Sequence, residues 1–226
     1  MRPDNRVPHD PPETSLDPED WEELRALGHD AVDDMIEYLR GIRDRPAWRA
    51  LSPATKQRFS DGLPWKPSPR REVYEEVREY VLPYPTGNIH PRFWSWVGGT
   101  GTPTQLIADL VVSAMNSASL GFDEAASTYV ELQLLDWLKT MLNYPAEASG
   151  LLVSGGSMAN LVGLAVARTH IAPYEVRDRG IDTHQERRLI YYASSETHSS
   201  VRKAIELLGL GSQSIHTIPV LSDYTI

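Results

Sequence analysis

Near the start of the chain, apolar side chains recur at helical spacing. Trp21, Leu24, Leu27, Ala31, Met35, Tyr38, Leu39 and Ile42 fall three or four residues apart and form one stripe. Glu22, Glu23, Asp30, Asp33, Asp34 and Glu37 occupy the other side, a solvated acidic face. Asp17 can cap such a helix, Pro18 fits its first position, and Glu19 and Asp20 suit its positive end. The pattern predicts a long amphipathic helix beginning there. Residues 43–69 break the period with prolines at 46, 53, 64, 67 and 69 and carry Trp48, Phe59 and Trp65, which predicts an extended segment pinned by aromatics. A short helix follows near Arg70–Val81. Residues 1–15 read as a mobile tail, with four prolines within Met1–Glu13. Residues 16–85 therefore read as a helical N-terminal arm. Its apolar stripe needs a surface to cover, on the chain's own body or on a second subunit.

From Gly87 the texture changes. Thr102-Pro103-Thr104-Gln105 has the form of a capping box with proline at the first helical position, and predicts a helix to about Met115. A second helix is predicted from about Ser127 to Leu142, with Val130, Leu134, Trp137, Leu138 and Met141 on one side. Leu151–Val153 reads as a short strand, followed by a glycine turn and a helix to about His170. His170–Arg188 is a polar loop. Leu189–Ala193 reads as a second strand, Ser194–His198 as a loop, and a helix begins at Ser199 or Ser200 and ends at Gly209. Ile215–Val220 reads as a third strand. Alternating strands and helices predict an α/β domain with a mostly parallel sheet over residues 86–226. In such sheets ligands sit beyond the carboxyl ends of the strands, where both Ser154–Asn160 and Ser194–His198 emerge.

Composition narrows the partners. The 226 residues are 41% apolar with a formal net charge of −9, which argues against nucleic acid or an anionic membrane as the main partner. The chain has no cysteine, so disulfides, thiolate catalysis and cysteine-based zinc sites are excluded, and no other metal site is expected. Met1–Glu13 lacks the apolar core of a signal peptide. Leu106–Met115, broken by Asp109, is too short to span a bilayer. These features lead to the expectation of a soluble cytoplasmic protein with no membrane partner.

The richest local chemistry lies in Leu151-Leu152-Val153-Ser154-Gly155-Gly156-Ser157-Met158-Ala159-Asn160-Leu161. A strand, a tight turn and a helix start aim free backbone N–H groups and a helix dipole at one spot, which suits a phosphate. Gly155 and Gly156 let an anion approach closely, and Ser157 adds a hydroxyl. Taken alone, the same residues also fit a plain turn with a serine cap. No Gly-x-x-x-x-Gly-Lys-[Ser/Thr] occurs, and no Gly-x-Gly-x-x-Gly follows a strand. Gly209-Leu210-Gly211 ends a helical pattern, where glycine serves as a C-cap.

An ordered set of blocks carries a family resemblance. It comprises His90-Pro91-Arg92-Phe93-Trp94, the turn Gly98–Thr102, Glu131 with Trp137-Leu138, Ser154–Asn160, and Thr197-His198-Ser199-Ser200-Val201-Arg202-Lys203-Ala204. From about Asp17 onward the chain resembles the group II pyridoxal-phosphate-dependent decarboxylases, which include the aromatic amino acid and glutamate decarboxylases. The resemblance implies a fold-type I, aspartate-aminotransferase-like large domain, here its first part, preceded by the arm. It implies a homodimer joined through that arm, with pyridoxal 5'-phosphate as cofactor and an amino acid as substrate. Gly156 and Ser157 map onto the phosphate loop, and Gly155 of the same turn is a cofactor-binding candidate beside them. His198 maps onto the catalytic histidine that stacks on the pyridine ring. Trp96, Val97, Gly98 and Gly99 map onto the substrate loop. Trp96 leans toward an aromatic or other bulky substrate; alternatively it is a core residue.

The family's Schiff-base lysine follows a histidine. None of the four lysines here, Lys56, Lys66, Lys139 and Lys203, does so. The aspartate that pairs with the pyridinium nitrogen is also missing, and both are expected beyond Ile226. The resemblance therefore implies the N-terminal part of a carboxy-lyase, inactive alone. Two alternatives stand beside it: another carbon–carbon lyase or desulfurase of the same fold, and a non-catalytic subunit that pairs with an intact decarboxylase.

Overall fold

The computed structural model describes residues 17–117, 125–181 and 189–226. The expected tail at 1–15 and the end of the polar loop at 182–188 lie outside the described residues. The chain divides into two units, Met1–Ser117 and Ala118–Ile226.

In the first unit, helix α1 spans Trp21–Arg40. Its cap is Asp20, not Asp17: the Asp20 carboxylate accepts from the N–H groups of Glu22 and Glu23 at 2.8 and 3.1 Å. Several acidic residues in a row could serve, and the one directly before Trp21 holds extended backbone and starts the helix. A 3-10 turn (Ile42–Asp44) and α2 (Pro53–Arg58) interrupt the extended segment. Helix α3 spans Arg70–Tyr80 and is tied to α1 along one face. Arg71 reaches Asp30 at 2.9 Å, the Tyr74 hydroxyl donates to Asp34 at 2.8 Å, and Arg78 reaches Asp34 at 3.1 Å. Helix α4 spans Pro103–Met115 with Pro103 at its first position, but the expected capping box does not form. Gln105 N–H donates to the Thr102 backbone carbonyl instead of its hydroxyl.

In the second unit, α5 spans Ala126–Met141 and α6 Gly156–Ile171. A short α7 (Val176–Arg179) lies within the polar stretch. Strand β1 (Tyr191–Ser194), helix α8 (Ser199–Leu207) and strand β2 (Ile215–Ile218) form a parallel crossover unit, with Tyr191 opposite Ile215 and Ser194 opposite Ile218. Leu151–Val153 is not a strand: it has no regular secondary structure, and no described strand pairs with it. An isolated strand has no ladder to stabilise it, so the local pattern was necessary and not sufficient. Apolar burial centres on α8, where Ala204 and Ile205 are buried as α8 packs on α6. Gly209 adopts the left-handed conformation (φ +75°) and ends α8. Gly209 N–H donates to Glu206 and Leu210 N–H to Ile205, the paired bonds of a Schellman cap.

Candidate cofactor site

The second unit is organised around two helices locked side by side in the same direction. Near their starts, the Asn160 amide of α6 donates to the Ser200 hydroxyl of α8 at 2.8 Å. Near their ends, the Arg168 guanidinium of α6 donates to the Leu208 carbonyl at 3.0 Å. Asn160 and Arg168 share one face of α6, and Ser200 and Leu208 are equally spaced along α8, about 12 Å apart at the helical rise. Midway along α8, Ala204 is 2% exposed, and its small side chain permits close approach. The helix starts therefore lie at the same end. Gly155, Gly156 and Ser157 sit one turn before Asn160, and His198 sits two residues before Ser200.

Gly155 is the N-cap of α6, and no side chain caps this turn. Ala159 N–H makes the first helical bond, to Gly155 O at 3.0 Å, so the N–H groups of Gly156, Ser157 and Met158 have no partner within the helix. All four residues of the turn, Gly155 to Met158, are exposed. A Cβ built on Gly155 or Gly156 would meet nothing within 4 Å. The turn is an open, uncapped helix start, and its donors fit an anionic group.

His198 is itself the N-cap of α8. Its Nδ1 lies 2.8 Å from the Ser200 hydroxyl and 3.2 Å from the Ser200 N–H. His198 is exposed, whereas Ser200 is only 5% exposed. Both strands of the crossover unit are short, and the Ser195 N–H extends the ladder by bonding to Ile218 O at 2.9 Å. That bond fixes the start of the loop that delivers His198.

Three further residues build the site. Asn160 and Ser200 lie inside motif blocks that do not mark their role, and Arg168 lies outside those blocks. The four- and eight-residue spacing of 160, 164 and 168 along α6 was the available signal. Burial pushes the Tyr191 phenol up, while the nearby Arg168 charge opposes it. Glu131 acts differently: its carboxylate accepts from Leu152 N–H at 3.2 Å and ties the segment before the glycine turn to α5.

Trp96, Val97, Gly98 and Gly99 belong to the first unit. Trp96 has a positive φ of 57° and is 82% exposed, so it is not a core residue of that unit. Its ring meets Phe93 at 6.0 Å, and with Trp48, Tyr84, Arg92 and Trp94 it lines a shallow hollow of about 500 Å³. His90 of the preceding block is buried. Its Nδ1 accepts from Arg92 N–H and its Nε2 lies 3.0 Å from Arg45 O, which fastens the loop to the extended segment.

Residues 53–224 match the pyridoxal-dependent decarboxylase conserved domain. The aromatic-L-amino-acid decarboxylase of Bacillus atrophaeus is 31% identical over 190 residues, covering 83% of this chain and 38% of that protein. Tryptophan decarboxylase 2 of Oryza sativa subsp. japonica is 25% identical over 208 residues, covering 90% and 41%. The crystal structure of Oryza sativa TDC with PLP and tryptamine superposes with a TM-score of 0.77 at 27% identity, covering 94% of this chain and 47% of that one. The chain thus spans less than half the length of these relatives. With the domain match extending over most of its residues, this chain belongs to the pyridoxal-dependent decarboxylase family.

Proposed function

We propose that this chain supplies the phosphate-gripping turn and the ring-facing histidine of a pyridoxal-5'-phosphate-dependent decarboxylase acting on an aromatic L-amino acid. The observation that carries the reading is the parallel α6–α8 pair, with an uncapped helix start and His198 at one end. The N–H groups of Gly156, Ser157 and Met158 bind the phosphate, helped by the Ser157 hydroxyl and the α6 dipole. Gly155 and Gly156 keep side chains out of its way. The imidazole of His198 lies against the pyridine ring, holds it flat and can hold a proton there. When bound, the cofactor supplies the electron sink for the charge left as carbon dioxide departs.

The Schiff-base lysine is assigned to sequence outside these residues. Lys139 Nζ is held by the Ala146 and Ala148 carbonyls and by Asp136, and Lys203 lies on α8 itself. The exposed ring of Trp96 and the substrates named for the relatives support an aromatic substrate. Residues 16–85 are proposed as the arm that joins two subunits, supported by the exposed Trp21, Leu24 and Ile36 of α1. The absence of cysteine suits a reducing, cytoplasmic setting.

The second reading is a non-catalytic subunit that pairs with an intact decarboxylase. One experiment separates them. The complete protein carrying this sequence is titrated with pyridoxal phosphate and assayed for carbon dioxide from L-tryptophan and L-tyrosine. Saturable binding with turnover supports the first reading. Binding without turnover supports the second. No binding sinks both.

A further inference from the structure

We infer that Asn160 and Ser200 are positioning residues that hold His198 as the neutral tautomer with its proton on Nε2. The inference rests on His198 being the ring-facing imidazole proposed above, but its evidence is the hydrogen-bond geometry. Ser200 has one hydroxyl proton. The Asn160 amide donates to Ser200 Oγ at 2.8 Å, so that oxygen already acts as an acceptor. The Ser200 hydroxyl lies 2.8 Å from His198 Nδ1 and can donate to it. The Ser200 backbone N–H, which can only donate, aims at the same nitrogen. Nδ1 therefore accepts, and a proton placed there would oppose the backbone bond. Ser200 is 5% exposed, so water does not readily replace either bond.

The same arrangement occurs at His90. There the N–H two residues on, from Arg92, donates to Nδ1 at 3.0 Å, and Nε2 faces the Arg45 carbonyl at 3.0 Å. A carbonyl can only accept, so the proton sits on Nε2. His198 has the same inner partner and leaves Nε2 for whatever lies beyond the helix start. It therefore offers an N–H donor to an oxygen of the cofactor or substrate, and not a lone pair. The Nδ1 bonds also fix the ring angle, because the imidazole cannot turn without uncapping α8.

The test uses the complete protein carrying this sequence, saturated with pyridoxal phosphate and isotopically labelled at the histidine ring nitrogens. Heteronuclear NMR is expected to show His198 with protonated Nε2 and bare Nδ1, its signals assigned by their loss in His198→Gln. Asn160→Asp replaces the amide donor with an acceptor and draws the Ser200 proton away from Nδ1. That variant is expected to lose the pure Nε2–H pattern, as is Ser200→Ala, while Ser200→Thr retains it. Carbon dioxide release in Asn160→Asp is expected to fall about tenfold in kcat with KM changed less than twofold. A wild-type His198 protonated on Nδ1 overturns the inference, as does an unchanged pattern in both Asn160→Asp and Ser200→Ala. If the wild-type protein releases no carbon dioxide, the decarboxylase reading fails while the NMR pattern still decides the tautomer.

Discussion

Gly155 shows how one position can serve binding at the expense of helix stability. Its φ of 163° is extended backbone open to any residue, and space beyond it is free. Nothing in the fold demands glycine there, yet the position leaves α6 without a side-chain cap. Gly155→Asp is expected to stabilise the chain by about 0.5–1 kcal/mol through a new cap and the helix dipole. The same carboxylate occupies the anion's seat, so affinity for pyridoxal phosphate is expected to fall at least about tenfold. Thermal melts and fluorescence titration read the two effects separately; a drop in both stability and affinity would defeat the argument. Gly87 is the contrasting case. Its φ is +92°, and a Cβ there would lie 2.2 Å from the Ala47 carbonyl oxygen. Gly87→Ala is expected to cost about 2 kcal/mol or more in urea unfolding.

At the scale of elements, α1 and α3 are joined mainly by polar contacts on exposed faces. Exposed ion pairs such as Arg71–Asp30 contribute little individually. Tyr74 differs, because burial and then its bond to Asp34 push its phenol up from 10.0 to about 12. A raised folded value means the neutral phenol stabilises the pairing fully below pH 10. That contribution fades as pH rises from about 10 to about 12, where the folded form ionises. The α1–α3 contact is expected to weaken over this window, and Tyr74→Phe to remove that part of the pH dependence. Urea midpoints at several alkaline pH values, alongside tyrosinate absorbance, check it. Asp20→Ala removes two bonds to the first turn of α1 and is expected to cost about 1 kcal/mol.

Across the whole molecule, the described residues bury few apolar side chains. Val176, Ala204 and Ile205 are the buried hydrophobic residues among them. Leu110, Val111, Val112 and Met115 of α4 are exposed, as are Val130, Trp137 and Met141 of α5. Each of those helices has an apolar side with no cover among the described residues. The 226-residue chain alone is expected to bind a hydrophobic dye and to self-associate, as measured by fluorescence and light scattering. A monodisperse monomer with a sharp melt would contradict this. Among the described residues no helix is long and apolar enough to cross a membrane. Borohydride treatment of the chain with pyridoxal phosphate is expected to label none of the four lysines selectively, by peptide mapping.

Local pattern alone specified α3, α4, α5, α6 and the αL glycine after α8, because each depends on period, proline placement or a glycine within a few residues. The ordered motif blocks also disclosed the family, and with it the candidate turn at Gly155–Ser157 and the candidate His198. Tertiary structure decided the rest. Leu151–Val153 has strand-like residues but no paired neighbour, and pairing is a property of two segments. Asp20 displaced Asp17 as the cap because the position of the first helical residue selects among adjacent carboxylates. The partnership of Asn160 with Ser200, and of Arg168 with Leu208, joins residues about forty positions apart. No local rule relates such residues until helix packing brings them within hydrogen-bonding distance.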